Sequence, residues 1–161
     1  MDLVALLETL EHSSLAGAMK HSLWLYPVVE IVHIAGFALL VGSVAAFDLR
    51  LLGFARSTSI RALERSLLPW AWIALLFIVP SGVAMFSAHA TDFGANPAFR
   101  VKLLLLLAAG LNALLFHAGV FRSVAAWDQH VPTPRAAKFS AALSLAIWAG
   151  VISCGRLIAY L

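Results

Sequence analysis

The sequence predicts an all-α integral membrane protein: a four-transmembrane-helix bundle preceded by an N-terminal amphipathic interfacial helix. Three observations predict it. Of the 161 residues, 62% are hydrophobic and 12% charged, and the mean hydropathy is +0.93, a composition far from that of soluble globular domains. Four apolar stretches of 21 to 25 residues recur along the chain, matching the ~20 residues a helix needs, at ~1.5 Å each, to cross the hydrocarbon of a lipid bilayer. The polar connections between them are short, so residues 1–161 are expected to form a single membrane domain with no room for a second, soluble one.

Each element has its own signal. Leu3, Leu6, Leu7 and Leu10 recur at helical spacing opposite Glu8, Glu11 and His12, the pattern of a helix lying on the membrane surface. The acids in this stretch stand where a signal peptide carries basic residues, so no cleaved leader is expected. Span one is read from Leu23 to Phe47, span two from Leu68 to Ala88, span three from Leu103 to Val124 and span four from Phe139 to Ala159. Pro69 falls in the first turn of span two, and Pro80-Ser81-Gly82 is expected to kink its outer half. Trp24, Trp70, Trp72 and Trp127 lie near span ends, as interfacial aromatics do.

Lys and Arg number seven in the two connections that follow spans one and three, against four on the other side. The positive-inside rule then puts those connections in the cytoplasm and both termini outside. The same rule accounts for the net charge of +3, so nucleic acid is not an expected partner. The single cysteine, Cys154, excludes an intrachain disulfide, a covalently attached c-type haem, a zinc finger and an iron-sulfur cluster.

Ionisable groups inside hydrocarbon are costly and mark functional positions. Four qualify: Glu30, His33, His117 and Arg156. Glu30 and His33 share one face of span one with Tyr26 and Phe37. Glu30, roughly 10 Å deep, and Arg156, roughly 6 Å deep, are expected to form an ion pair, with Ser81 and Ser153 as hydrogen-bonding neighbours. That pair either fixes helix register or lines a pocket for a quinone, an anion or a proton. His33 and His117 fall roughly 15 Å and 21 Å deep, with Gly36, Gly110 and Ala113 beside them. Two imidazoles converging between helices, with small residues to admit a porphyrin, meet the demands of one bis-histidine haem. Small residues equally mark close helix packing. Spans two to four hold no Asp or Glu, which excludes a di-iron site. Asn112 is expected to bond across helices, Asp48 and Arg50 to form a local salt bridge, and Cys154 to pack in the core. A surface copper or zinc site at His21, His89 and Asp92 is a weaker alternative to plain solvation.

The run from Ser22 to Gly53 (SLWLYPVVEIVHIAGFALLVGSVAAFDLRLLG), with LLPWAW at 67–72 and NPAFRVKLLLLLAAGLNALLFH at 96–117, resembles an uncharacterised family of four-span bacterial inner-membrane proteins. That resemblance implies a bacterial source and a multi-pass inner-membrane location. His33-x-x-Gly36 followed by small residues and Asp48-Leu49-Arg50 looks like the first span of copper-resistance D-type proteins and of membrane protoporphyrinogen oxidases, which bind b-type haem. The chain departs from the latter in carrying His117, rather than lysine, as the basic intramembrane residue of span three.

The leading expectation is therefore a small inner-membrane b-type haem protein in electron transfer. His33 and His117 would be its axial iron ligands, and a quinone would exchange electrons or protons near Glu30 and Arg156. The rival is a cofactor-free accessory or assembly subunit of a membrane complex, or a homo-oligomer, whose polar residues set packing. A carrier for a small solute or metal ion ranks third, since the chain lacks inverted repeats.

Overall fold

The computed structural model describes residues 3–160 and is all-helical over them. The outermost residues 1, 2 and 161, on which the expected side of the termini bears, lie outside the described residues, as does the side chain of Leu3. Two short helices come first, α1 (Leu3–Glu11) and α2 (Ser14–His21). The long helices α3 (Leu25–Leu52) and α4 (Ile60–Ala88) follow. Then come the short α5 (Ala90–Ala95), α6 (Pro97–Ala118), a 3-10 helix over Val120–Ala126, and α7 (Arg135–Leu157). Helices α3, α4, α6 and α7 are the four long and apolar enough to cross a membrane.

Helix α3 packs along α4 and also on α7, and α7 packs on α6. Helices α3 and α6 meet through large side chains: the Phe47 and Phe116 ring centroids are 6.0 Å apart. The end carrying α1, α2 and α5 is termed the cap end, and the end carrying residues 53–59 and 119–134 the hairpin end. Between them an apolar layer of Phe37, Leu105, Ala109, Ile147, Trp148 and Val151 fills the middle.

Two spans begin earlier than the apolar runs indicate. Ser59 caps α4, its hydroxyl accepting from the Ala62 N–H at 3.0 Å, and Asn96 caps α6 by accepting from Ala98 and Phe99 at 2.9 and 3.2 Å. These caps satisfy N–H groups that a first turn leaves free, so helix begins at Ile60 and Pro97 rather than at Leu68 and Leu103. Span three also stops sooner, at Ala118 rather than Val124, and continues as the 3-10 helix. Gly53, at φ 114°, ends α3 in the left-handed conformation. Helix α4 runs through both Pro69 and Pro80.

Trp24, Trp70 and Trp72 are exposed as expected, but Trp127 is 4% exposed, and its indole N–H donates to Ser123 at 3.1 Å. It belongs to the hairpin-end core with Leu51, Ile60 and Phe116. Arg50 and Asp48 form no salt bridge: two residues apart on a helix, they point to different sides.

The N-terminal stretch is two helices broken at Ser13, not one, and they fold onto the bundle, α1 against α5 and α4 and α2 against α4. Glu11, expected on the polar face, ties them together. It accepts from Lys20 at 2.8 Å and from the Thr91 N–H at 3.1 Å. The Lys20 hydrogen bond, then those from Thr91, lower its carboxyl from the ordinary 4.5 to about 2. A depressed carboxyl contributes stability that is fully present above its unfolded value and is lost as pH falls through the folded one. Helices α1 and α2 should therefore stay docked at pH 4 and loosen only toward pH 2. Amide exchange in α1 checks this, and Glu11→Gln should release α1 already at pH 7.

Candidate functional site

His33 lies mid-way through the cap-end half of α3 and faces α4. Its Nδ1 is 2.9 Å from the Ser81 hydroxyl oxygen. That hydroxyl is 2.6 Å from the Phe77 carbonyl and 3.1 Å from that of Ile78, so its proton is committed to its own helix. Ser81 can only accept from His33. With the hydroxyl proton donated along α4, Nδ1 carries the proton toward Ser81 and Nε2 keeps its lone pair. The imidazole also sits over Gly82, where a Cβ would come within 3.2 Å of its Cε1. Gly82→Val is expected to displace the ring and break the Ser81 bond, a change visible in the His33 ring nitrogen shifts, at an overpacking cost of about 1–3 kcal/mol.

The early start of α6 brings in a residue that the sequence reading counted as a flanking charge. Lys102 lies inside the helix and is half-buried, with its Nζ 3.6 Å from where a Cβ on Gly155 would stand. No ion pair or side-chain hydrogen bond joins it to another described residue. Like His33 it lies in the cap-end half of the bundle, and Glu30 precedes His33 by one turn of α3. The signal for it was the Asn96-Pro97 cap, which puts Lys102 in the second turn of a helix.

Glu30 is exposed and makes no ion pair with Arg156. Arg156 points away from the bundle, its guanidinium 4.8 Å above the Tyr160 ring and donating to the Tyr160 hydroxyl. The reason is helical phase. Val151 and Cys154 carry the buried stripe of α7, and a residue two positions beyond Cys154 lies on the far side. Ser153 shares that exposed side and donates to the Ala149 carbonyl at 2.9 Å. Ser81, but not Ser153, thus belongs with His33.

His33 and His117 do not converge. Phe47 lies fourteen residues beyond His33 on α3 and meets Phe116, which puts His117 about 20 Å farther along the bundle than His33. His117 is exposed in the last turn of α6, its Nδ1 2.9 Å from the Ala113 carbonyl and its ring against Phe116 and Phe121. A shared haem iron requires both imidazoles at one centre, and these two do not fit it. The depth offset expected from sequence was too small because α6 begins six residues before Leu103.

Other expected positions are accounted for. Asn112 and Ser140 bond reciprocally between α6 and α7, the Asn112 amide donating to the Ser140 carbonyl and the Ser140 hydroxyl to Asn112, both at 3.0 Å. Tyr26 lies one turn before Glu30 and lines an open cavity of about 300 Å³ at the cap end with Lys20, Ser22 and His89. Its ring meets His89 edge-on at 6.3 Å. His89 and Asp92 approach only to 3.9 Å, and among the described residues no three His, Cys, Asp or Glu side chains gather as a metal site.

The arrangement therefore offers, in one half of a membrane bundle, a lone-pair acceptor on His33, an unpaired cation on Lys102 and a carboxyl on Glu30. No curated protein and no solved structure matches the chain. A family model described as a family of unknown function (DUF6644) matches residues 8–161. With that match running through all four spans and the His33–Lys102 site, the chain belongs to the DUF6644 family.

Proposed function

We propose that this is a bacterial inner-membrane protein that binds the head group of a quinone in the cap-end half of the bundle and exchanges protons with it. The observation that carries the reading is the contact of His33 Nδ1 with the Ser81 hydroxyl at 2.9 Å, which turns Nε2 away from that partner. The free Nε2 accepts from a quinol hydroxyl, while the unpaired Lys102 ammonium donates to a quinone carbonyl. In the quinol state the opposite hydroxyl oxygen accepts from the same ammonium; in the quinone state, which has no hydroxyl, the Lys102 bond alone is made. Glu30, one turn toward the cap-end cavity that Tyr26 lines, is the proton exchange group between the site and the surface. Electrons reach or leave the quinone through a redox partner, so the chain acts as a subunit of a membrane oxidoreductase. The positive-inside rule orients the cap end outward and the hairpin end toward the cytoplasm.

Solvent extraction of the purified protein, followed by mass spectrometry, tests the reading. The expected result is about one quinone per chain, lost from His33→Ala and kept in His117→Ala. Quinone content equal to that of the surrounding lipid contradicts it. The same free Nε2 favours a second reading, a b-type haem held by His33 alone. A dithionite-reduced visible spectrum decides it: a b-type band lost in His33→Ala and retained in His117→Ala supports this second reading, and a colourless protein removes it.

A further inference from the structure

The cap-end site leaves one buried ionisable side chain without a task. Asp48, at the hairpin end of α3, is 5% exposed, and its Oδ2 has no hydrogen-bond partner. The buried polar side chain that α7 offers toward the hairpin end is Ser144, 8% exposed. No charge compensates it. Arg50 donates through Nε and Nη2 to the carbonyls of Thr58, Arg56 and Asp128; its Nη1 is buried without a partner but forms no ion pair with Asp48, and Asp128 is bonded to Ser59 and the Arg61 N–H. Among the described residues no side chain of α4 or α6, Glu64 and His117 included, bonds Asp48, and neither Arg56 nor Lys138 pairs with it.

An isolated carboxylate so placed carries a large desolvation cost, which it sheds by taking up a proton. Hard metal ions require six or more oxygen ligands, and Asp48 with Ser144 supplies too few. We propose that Asp48 is a proton-binding site, a neutral carboxylic acid whose proton is loaded and released from the hairpin end. It lies four residues from the end of α3, about 6 Å along the axis. The apolar layer of Phe37, Ile147, Trp148 and Val151 separates it from His33, so the inference stands apart from the quinone reading. Release of the proton sets a bare charge between α3 and α7 and so favours their separation at that end.

Infrared spectroscopy of the protein in lipid nanodiscs tests this at pH 7, in sodium and in potassium chloride. The expected result is a neutral-acid carbonyl band that Asp48→Asn removes and that fades as pH rises. Labelling of the unaltered chain with a hydrophobic carbodiimide, which takes the acid proton onto its nitrogen as the acyl adduct forms, keeps the test independent of the variant's folding. Peptide mass spectrometry should find the adduct on Asp48 ahead of the exposed Glu8 and Asp92. Neither band nor adduct at pH 7 overturns the proposal. Loss of both in sodium alone also overturns it, by showing a cation site instead.

Discussion

Replacing Arg50 with leucine is expected to lower the unfolding free energy by about 2–6 kcal/mol, the cost of leaving buried carbonyls without their charged donor. Arg50 is 2% exposed and donates to the carbonyls of Thr58 at 2.7 Å, Asp128 at 2.8 Å and Arg56 at 3.2 Å. One guanidinium thus ties the α3–α4 connection to the connection before α7. Without it the Thr58 and Asp128 carbonyls lose this donor, at about 1–3 kcal/mol for each that stays dry, while that of Arg56 keeps the His130 N–H at 3.3 Å. Lysine lacks the planar fork and should recover little of the loss. Thermal or denaturing-detergent unfolding of the purified protein reads the effect, and a change under about 1 kcal/mol would show that water takes over these carbonyls.

Lys102→Met is the second large effect, this time on binding rather than folding. An ammonium that bonds no other described side chain contributes no protein hydrogen bond to lose, so helix content and unfolding midpoint should hold. Quinone affinity should fall at least tenfold, or about 1.4 kcal/mol, because the carbonyl loses its charged donor. Lys102→Arg should restore part of it. Equal affinity in Lys102→Met and the unaltered chain would take Lys102 out of the site.

The number and order of the spans were legible in apolar run length, because hydrocarbon thickness imposes it. The capping residues Ser59 and Asn96 were also in plain view, and reading them ahead of the apolar runs places Lys102 within a helix instead of beside one. What one sequence does not carry is the packing order. That His33 faces α4, and that His117 lies about 20 Å farther along the bundle, are tertiary facts, and they set His33 against Ser81 rather than His117. Helical phase was the other gap. Arg156 falls on the far side of Cys154, and Asp48 and Arg50 diverge, although depth along the membrane normal matched for each pair. Depth can be counted from sequence; facing requires knowing the neighbour.

The central claim, that the functional site lies around His33 and Lys102 and not between His33 and His117, is most directly tested by photoaffinity labelling with an azidoquinone in lipid nanodiscs. Adducts should map to the cap-end halves of α3, α4 and α6, within a turn or two of His33, Ser81 and Lys102, and should be displaced by unlabelled quinone. Displaceable adducts around His117 and Phe121 at the hairpin end would contradict the account.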